Sequence, residues 1–125
     1  MAEQVEPGRV QWVDTDAGGR IHFTAAFRWA ELAEVALRRK LGLVEGWGDY
    51  PRRRVEAEFL QVLVFEDEIE IRILPERLGE TSITWAFEIA RDGEVCVRGS
   101  LVVVHVDAEG RPAPLTQKER AALSG

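Results

Sequence analysis

The chain of 125 residues carries a formal net charge of −6, and 46% of its residues are hydrophobic. The length predicts one domain over residues 1–125, and the apolar content excludes a disordered chain. The acidic balance argues against a nucleic-acid partner, the single Cys96 excludes an internal disulfide, and no apolar run approaches the roughly 20 residues of a membrane span. Residues 1–6 lack the apolar segment of a signal peptide, so we expect a cytoplasmic protein without a membrane partner.

The first predicted elements in chain order are a short strand and a long helix. Residues 9–13 alternate in polarity, which predicts a strand with Val10 and Trp12 on one face. Residues 24–41 show the helical spacing of apolar side chains, with Thr24 as the expected N-cap and Gly42 as the residue that ends the helix. The apolar surface of this helix is wide and rich in alanine, so we expect a sheet to wrap closely around it.

A loop and a run of arginines follow the predicted helix. Residues 43–54 contain the glycine, proline and aromatic residues typical of a loop, and they end in Arg52, Arg53 and Arg54. Two interpretations of the arginines stay open. They form either a solvated entry into the next strand or a set of contacts with the phosphate groups of a charged ligand.

The second half of the chain predicts strands separated by turns. Pro75 and Gly79 bracket one expected turn, and Asp92–Gly93 is a strong hairpin signal. The predicted strand segments are residues 55–65, 69–73, 81–90 and 94–106.

The chain ends in a short predicted helix over residues 116–123. Thr116 and Glu119 have the spacing of a capping box at its start. One long helix followed by consecutive strands must bury its apolar side against them. The predicted fold class is therefore α+β, with a curved antiparallel sheet of about five strands wrapped around one long helix.

The residues between the first strand and the long helix carry the most chemistry. Asp14 and Asp16 are separated by one residue, Gly18 and Gly19 follow, and His22 stands just before the helix. Glycines allow a sharp turn and the close approach of another group, and a helix start offers backbone N–H groups with partial positive charge. A carboxylate beside such donors can attack a polarised carbonyl. The same residues also fit an ordinary turn with a helix cap, and this alternative stays open here.

Other chemistries find little support in the sequence. His22 and His105 are the only histidines, and a zinc site needs several converging ligands. No serine stands in a turn of the G-x-S-x-G type, and the paired glycines lack the spacing of a phosphate or dinucleotide loop. We therefore expect no metal and no bound cofactor, and we interpret Cys96 as a small buried structural residue and His105 as a structural or surface residue.

The stretch before the helix resembles the acyl-CoA thioesterases of the hotdog fold. Their motif, D-x-D-x-x-G-x-[VI] leading into a helix with aromatic residues and a glutamate, is similar to residues 14–21 followed by Phe23, Phe27, Trp29 and Glu31. The branch that the motif resembles most is the 4-hydroxybenzoyl-CoA thioesterase group with the YbgC-like enzymes. The resemblance extends over nearly the whole chain, because the order of elements also matches.

This resemblance implies a mechanism and an assembly. It implies that Asp16 is the nucleophile or general base and that the backbone N–H of Phe23 is an oxyanion donor, in agreement with donors aimed at developing negative charge. Gly19 would let the loop fold back over the helix end, and we assign it to substrate binding together with the arginines at residues 52–54. The family's dimer places each site at a subunit interface, and its dimers often pair into tetramers.

The chain departs from the family pattern in the motif itself. Ala26 replaces a frequent tyrosine, Arg20 replaces an apolar residue or a histidine, and Phe23 stands where YbgC-like members often have a histidine. His22 therefore does not inherit the role of the family histidine. It stays a catalytic candidate that could orient water or contact the acyl group, and Arg20 and Ala26 leave the acyl specificity open.

The leading hypothesis is a thioester hydrolase that acts on an acyl-CoA or a related acyl thioester as a homo-oligomer, either a dimer or a homotetramer. CoA would enter only as part of the substrate. One alternative is a hydratase or dehydratase of the same fold, which would pair Asp16 with His22. Another is a non-catalytic module that binds acyl thioesters, although a binder needs no base beside Gly19.

Overall fold

Residues 2–125, which the computed structural model describes, form a five-stranded antiparallel sheet, a long helix and a short terminal helix. The elements are β1 Gln4–Arg9, α1 Phe23–Leu41, β2 Arg52–Phe59, β3 Glu68–Leu78, β4 Ser82–Arg91, β5 Glu94–Val104 and α2 Gln117–Ser124. The strands lie in the order β1-β3-β4-β5-β2, so β1 and β2 are the two edges of the sheet. No helix in the described residues is long and apolar enough to cross a membrane.

The core lies between α1 and one face of the sheet. Ile83, Trp85, Phe87 and Ile89 of β4 are buried while the residues between them are more exposed, as a two-residue repeat requires when one sheet face is covered. The helix covers this face with a side that is rich in small residues, and its buried alanines are Ala25, Ala26, Ala30 and Ala33. The predicted arrangement, a sheet around one long helix, is confirmed.

The two ends of α1 differ in how well the sequence predicts them. Gly42 adopts a left-handed conformation with φ of 72°, and its N–H reaches the carbonyls of Arg38 and Arg39, so the predicted end is confirmed. The predicted N-cap, Thr24, is wrong because the helix begins one residue earlier, at Phe23. His22 is the N-cap, and its Nδ1 accepts the N–H of Thr24. An imidazole nitrogen here performs the task that a hydroxyl or carboxylate oxygen usually performs.

The predicted first strand over residues 9–13 is also wrong. The strand is β1, which ends at Arg9, and Trp12–Asp14 form a single 3-10 turn. The predicted common face of Val10 and Trp12 does not form: Val10 is buried, whereas Trp12 exposes 76% of its surface because the chain turns after Val10. Pro7 lies inside β1, where it is tolerated because β1 is an edge strand.

The apolar run at residues 55–65 does not form one strand. β2 ends at Phe59, because the N–H groups of Leu60 and Gln61 both turn to the carbonyl of Cys96, at 2.7 and 3.1 Å. The chain then runs as a loop to Glu66, whose φ is 78°. This loop borders the candidate site described below.

The turns of the second half follow the sequence in one case and depart from it in another. Asp92 and Gly93 have φ of 53° and 79° at the β4–β5 turn, so the predicted hairpin is confirmed. Pro75 does not bracket a turn. It lies within β3 at a register shift opposite β4, and the turn begins at Gly79, whose N–H donates to the carbonyl of Ser82.

The terminal helix α2 is tied to α1 by a buried ion pair. Thr116 caps α2 as predicted, since its hydroxyl accepts the N–H of Glu119 at 3.0 Å. The side chain of Glu119 instead points inward, where it accepts a hydrogen bond of 2.7 Å from the guanidinium of Arg38. Arg38 is fully buried and also lies 3.7 Å from Glu34, one turn earlier on α1.

Candidate active site

The loop between Asp14 and His22 folds into a tight turn with Asp16 near its tip. The N–H of Asp16 donates to the carbonyl of Arg20 at 2.8 Å, and the N–H of Gly19 donates back to the carbonyl of Asp16 at 3.0 Å. Gly19 has a φ of 82°, a conformation that residues with a Cβ rarely adopt. Gly19 therefore lets the loop turn back towards the helix because it adopts this positive φ without steric cost.

Asp14 is buried and braces the loop. Its Oδ1 accepts a hydrogen bond of 2.9 Å from Arg28, and its Oδ2 accepts the N–H of Gln11 at 2.8 Å. Its carbonyl also accepts the N–H of His22 at 2.7 Å. Both carboxylate oxygens are thus occupied by the protein, and only 3% of the residue is exposed.

Asp16 is exposed and has one oxygen free. Its Oδ1 accepts the N–H of Gly18 at 2.8 Å, which fixes the orientation of the carboxylate. No group among residues 2–125 donates a hydrogen bond to Oδ2. Asp16 therefore keeps an oxygen available for a molecule outside the chain.

The first turn of α1 leaves one backbone donor without a partner. The first N–H groups of a helix have no acceptor within it. Thr24 donates to His22 Nδ1 and Ala25 donates to the carbonyl of His22. The N–H of Phe23 has no such acceptor in the described part of the chain, so it is available to an oxyanion.

Asp16 and Phe23 line the same cavity. This cavity has a volume of about 300 Å³, which is at the lower end of the range for small-molecule sites. Its walls also include residues from the loop after β2 and from the residues between Asp16 and the helix. The complete lining is Asp16, Arg20, Ile21, Phe23, Phe59, Leu60, Gln61, Val62 and Leu63. The residue with the free carboxylate oxygen and the residue with the free N–H therefore line the same largely apolar cavity.

His22 does not belong to that lining. Its Nδ1 lies 2.7 Å from the hydroxyl of Thr24, and its ring stacks on the ring of Phe23 with the centroids 4.7 Å apart. The structure thus places one ring nitrogen of His22 in the helix cap and the side chain beside the cavity.

The arginine cluster lies away from the cavity. Arg52 forms ion pairs with Glu34 at 2.5 Å and Glu31 at 2.9 Å. Burial alone would lower the pKa of Arg52, but the hydrogen bond and charge of Glu34 outweigh it and raise the pKa. Arg54 pairs with Glu56 at 3.2 Å, whereas Arg53 is exposed and has no acidic partner among the described residues.

Several residues near the site were not found from the sequence. Arg28 supports Asp14 from the second turn of α1, but a separation of fourteen positions leaves no signal in a local pattern. Gln61 and Leu63 reach the cavity because β2 ends early, while the sequence predicted a continuous strand there. Arg20 was identified only as a departure from the motif.

Neither of the two residues interpreted as structural lines the cavity. Cys96 is buried in β5. His105 hydrogen-bonds through Nδ1 to the carbonyls of Ala113 and Pro114, at 3.2 and 2.9 Å. Within residues 2–125, no group of three or more histidine, cysteine, aspartate or glutamate side chains is placed to hold a metal ion.

Comparison with known proteins identifies the family. Residues 10–123 match the model of the Thioesterase-like superfamily, and the chain belongs to this superfamily. Among curated proteins, it is 29% identical to a 1,4-dihydroxy-2-naphthoyl-CoA hydrolase of Prochlorococcus marinus (strain NATL1A), over 92% of this chain and 81% of the relative.

Solved structures of similar fold include two thioesterases. The 1,4-dihydroxy-2-naphthoyl-CoA thioesterase Slr0204 from Synechocystis superposes with a TM-score of 0.87 at 18% identity, covering 98% of this chain and 96% of the other. The gentisyl-coenzyme A thioesterase BH1999 gives a TM-score of 0.86 at 24% identity, covering 98% and 100%.

These similarities confirm the predicted hotdog fold and the predicted class, a thioesterase-type enzyme. The narrower assignment to the 4-hydroxybenzoyl-CoA and YbgC-like branch stays a prediction.

Proposed function

We propose that this protein hydrolyses aromatic acyl-CoA thioesters in the cavity that contains Asp16. The observation that carries the proposal is that Asp16, which has a free carboxylate oxygen, and Phe23, which has a free N–H, both line one apolar-walled cavity. Thioester hydrolysis needs a group that attacks the carbonyl carbon, directly or through water, and a donor for the oxyanion that forms. Membership of the Thioesterase-like superfamily supports this reaction.

In the proposed reaction, Asp16 starts the cleavage of the C–S bond. Oδ2 either attacks the thioester carbon itself or removes a proton from a water molecule that attacks it. The carbonyl oxygen gains negative charge, which the N–H of Phe23 stabilises. Collapse of the tetrahedral intermediate expels the thiolate of CoA, which takes up a proton. In the direct route, water then cleaves the anhydride and restores the carboxylate.

The proposed acyl class rests on the walls of the cavity and on the relatives. Phe23 and Phe59 contribute aromatic rings, and Leu60 and Val62 add apolar surface, which suits a flat hydrocarbon ring. The similar proteins named above act, by their names, on 1,4-dihydroxy-2-naphthoyl-CoA and gentisyl-coenzyme A. Both acyl groups are hydroxylated aromatic acids.

The proposed assembly is a homo-oligomer that covers the β2 edge. Among the described strands β2 pairs only with β5, so its outer backbone groups are open to another strand. Apolar residues of β2 and of the loop that follows it are exposed by 40 to 51%, and they are Val55, Phe59, Leu60, Val62, Val64 and Phe65. Exposed apolar surface of this kind is typical of an interface. The arginine cluster stays a candidate contact for CoA phosphates, and Arg53 is the member of the cluster without an acidic partner within residues 2–125.

Two aspartates on one loop allow a matched test of the mechanism. Asp16→Asn should lower kcat/KM for a 1,4-dihydroxy-2-naphthoyl or benzoyl thioester of CoA by on the order of 10²- to 10⁴-fold, because an amide neither attacks nor accepts the proton. The thermal midpoint should stay unchanged, since Asp16 is exposed. The measurement is release of free thiol, followed by circular dichroism on the same preparations.

Asp14→Asn is the control, and it should affect stability more and turnover less than Asp16→Asn does. It removes the buried partner of Arg28, so stability should fall while turnover declines less than in Asp16→Asn. A larger loss of turnover at Asp14, or a rate for Asp16→Asn that equals the wild-type rate, would overturn the assignment of Asp16.

A further inference from the structure

The cavity contains an arginine without a carboxylate partner. Arg20 lines it together with Asp16, and no acidic side chain among the described residues lies within ion-pair distance of Arg20. Elsewhere in residues 2–125 most arginines are paired with a carboxylate. The paired ones are Arg9, Arg28, Arg38, Arg52, Arg54, Arg72, Arg91 and Arg98.

The backbone holds Arg20 at a fixed place relative to the proposed reacting groups. The carbonyl of Arg20 accepts the N–H of Asp16 at 2.8 Å, and Arg20 forms a β-bridge with Val64. The next residue, Ile21, donates its N–H to the carbonyl of Leu63 at 3.1 Å. The backbone from which the Arg20 side chain extends is therefore bonded both to the loop of Asp16 and to the apolar wall of the cavity.

Arg20 is exposed in the unliganded chain, where water satisfies its guanidinium, and it needs another oxygen acceptor once a bound ligand displaces that water. Burying an unpaired charge is costly, and arginine has five N–H donors and no acceptor. Asp16 is the only carboxylate among the described residues that line the cavity, and one of its oxygens is already held by Gly18. If its other oxygen is to react with the thioester, the acceptor for Arg20 must come from the substrate.

The geometry points to Arg20 as the residue that selects the acyl group, by donating hydrogen bonds to a ring hydroxyl or its phenolate. This inference rests on the proposed function. It deepens it by naming the feature that is recognised: an oxygen substituent on the aromatic ring, which an unsubstituted aromatic acyl group lacks. An apolar pocket alone discriminates weakly between such substrates, whereas a buried polar group left without its partner discriminates strongly.

The phosphates of CoA are the other possible source of oxygen acceptors, and the structure favours the acyl group. Arg20 is four residues from Asp16 and shares its cavity with apolar walls suited to a ring. The phosphates are separated from the thioester by the whole pantetheine arm. A phosphate contact would therefore lie away from the reacting carbonyl, whereas Arg20 lines the same cavity as Asp16.

The test compares substrates that differ by one hydroxyl group. We would measure kcat/KM for 1-hydroxy-2-naphthoyl-CoA and 2-naphthoyl-CoA with the wild type, Arg20→Leu and Arg20→Lys. Arg20→Leu should reduce the preference for the hydroxylated substrate, expressed as the ratio of the two kcat/KM values, by on the order of 10- to 100-fold, the size expected for a hydrogen bond to a charged group. Arg20→Lys should retain part of the preference.

Two controls make the result specific. Arg77→Leu removes an exposed arginine outside the cavity that has no acidic partner in the described chain, and the preference should stay at the wild-type value. The same pair of acyl groups on N-acetylcysteamine, which has no phosphates, should show the same loss in Arg20→Leu. A loss that disappears with these short thioesters would assign Arg20 to the phosphates and overturn the inference.

Failure of the inference can be distinguished from failure of the proposed function. An equal effect of Arg20→Leu on both substrates, or no effect, would overturn the role of Arg20 while the wild type still releases thiol. If the wild type cleaves neither thioester, the proposed function fails. Calorimetry then still tests the role of Arg20, by measuring the affinity for thioether analogues with and without the hydroxyl. The ratio of the two affinities should fall in Arg20→Leu, and a ratio equal to that of the wild type would contradict the role of Arg20.

Discussion

Two aspartates with the same chemistry have different environments within three residues of chain. Asp14 is enclosed by Arg28 and a backbone N–H, whereas Asp16 is exposed and keeps an oxygen free. Burial separates a carboxylate that supports a loop from one that can meet a ligand. The residue types and their spacing predicted the pair, and the family resemblance selected Asp16.

The position of His22 leads to a prediction at the residue scale. His22→Ala removes the acceptor for the N–H of Thr24, so we expect a loss of about 0.5–2 kcal/mol in the free energy of unfolding. Thiol release should fall modestly and remain above that of Asp16→Asn, because His22 lies outside the cavity lining.

The rival hydratase hypothesis predicts the opposite result for His22. There the imidazole would be half of an acid–base pair, and its loss should cost on the order of 10²- to 10⁴-fold. Enoyl-CoA absorbance and thiol release should be followed together. Enoyl turnover without thiol release, lost in His22→Ala, would favour the hydratase.

At the scale of elements, the close pairing of β2 with β5 depends on Gly99. A Cβ built at Gly99 would lie 2.1 Å from the carbonyl oxygen of Glu56 and 2.8 Å from the ring of Phe87. The missing side chain thus lets the Phe87 ring and the backbone of β2 approach the same point on β5.

Gly99→Ala should therefore destabilise the protein by about 1–3 kcal/mol, as overpacking in a core typically does. Gly48→Ala is the matched control, because a Cβ there meets no atom within 4 Å. Urea unfolding monitored by tryptophan fluorescence measures both. Equal midpoints for the two variants would show that β2 can move away from β5 at little cost.

The segment that contains Tyr50 gives a prediction about alkaline pH. Burial, and then the charge of Glu119, raise the pKa of Tyr50 above its ordinary value. The folded state therefore favours the neutral phenol. This contribution to stability is complete below the unfolded pKa of about 10 and is lost as pH rises above it.

The chain has a single tyrosine, so its ionisation can be observed directly. Tyrosinate absorbance in the native protein should appear only together with alkaline unfolding, whereas in concentrated urea it should appear near the ordinary pKa of about 10. As the pH rises above about 10, Tyr50→Phe should lose less stability than the wild type, because it has no phenol to ionise. A native titration that coincides with the one in urea would contradict the raised pKa.

Elements were predicted well where a repeat or a turn residue defined them. The alternation in β4, the hairpin at Asp92–Gly93 and the end of α1 at Gly42 are each determined by neighbours in sequence. The end of β2 was missed, because it depends on two N–H groups turning to Cys96, 36 and 35 positions away. Sequence patterns report local geometry, and the cavity wall is built from contacts that are distant in sequence.

At the scale of the whole molecule, the open β2 edge leads to a prediction about assembly. Light scattering should give at least a dimer at micromolar concentration. Val55→Asp should shift the protein towards monomer, because Val55 is 46% exposed on the edge strand and a charge there opposes burial.

Val44→Asp is the control for that substitution, since Val44 is also a valine, exposed by 45%, but lies in the loop after α1. Its assembly should equal that of the wild type. A wild-type protein that remains monomeric at this concentration would remove the proposed interface.

The buried pair of Arg38 and Glu119 restricts how this sequence can diverge. Removing Arg38 alone leaves the buried carboxylate of Glu119 without a cation among the described residues, at a cost of about 3–5 kcal/mol, a large part of the stability of a small domain. Removing Glu119 alone leaves Arg38 only its longer contact of 3.7 Å with Glu34. Replacing both together by apolar residues carries no such cost. Substitutions at these two positions, which are 81 residues apart, should therefore occur together in evolution. The sequences of α1 and α2 are coupled through this pair.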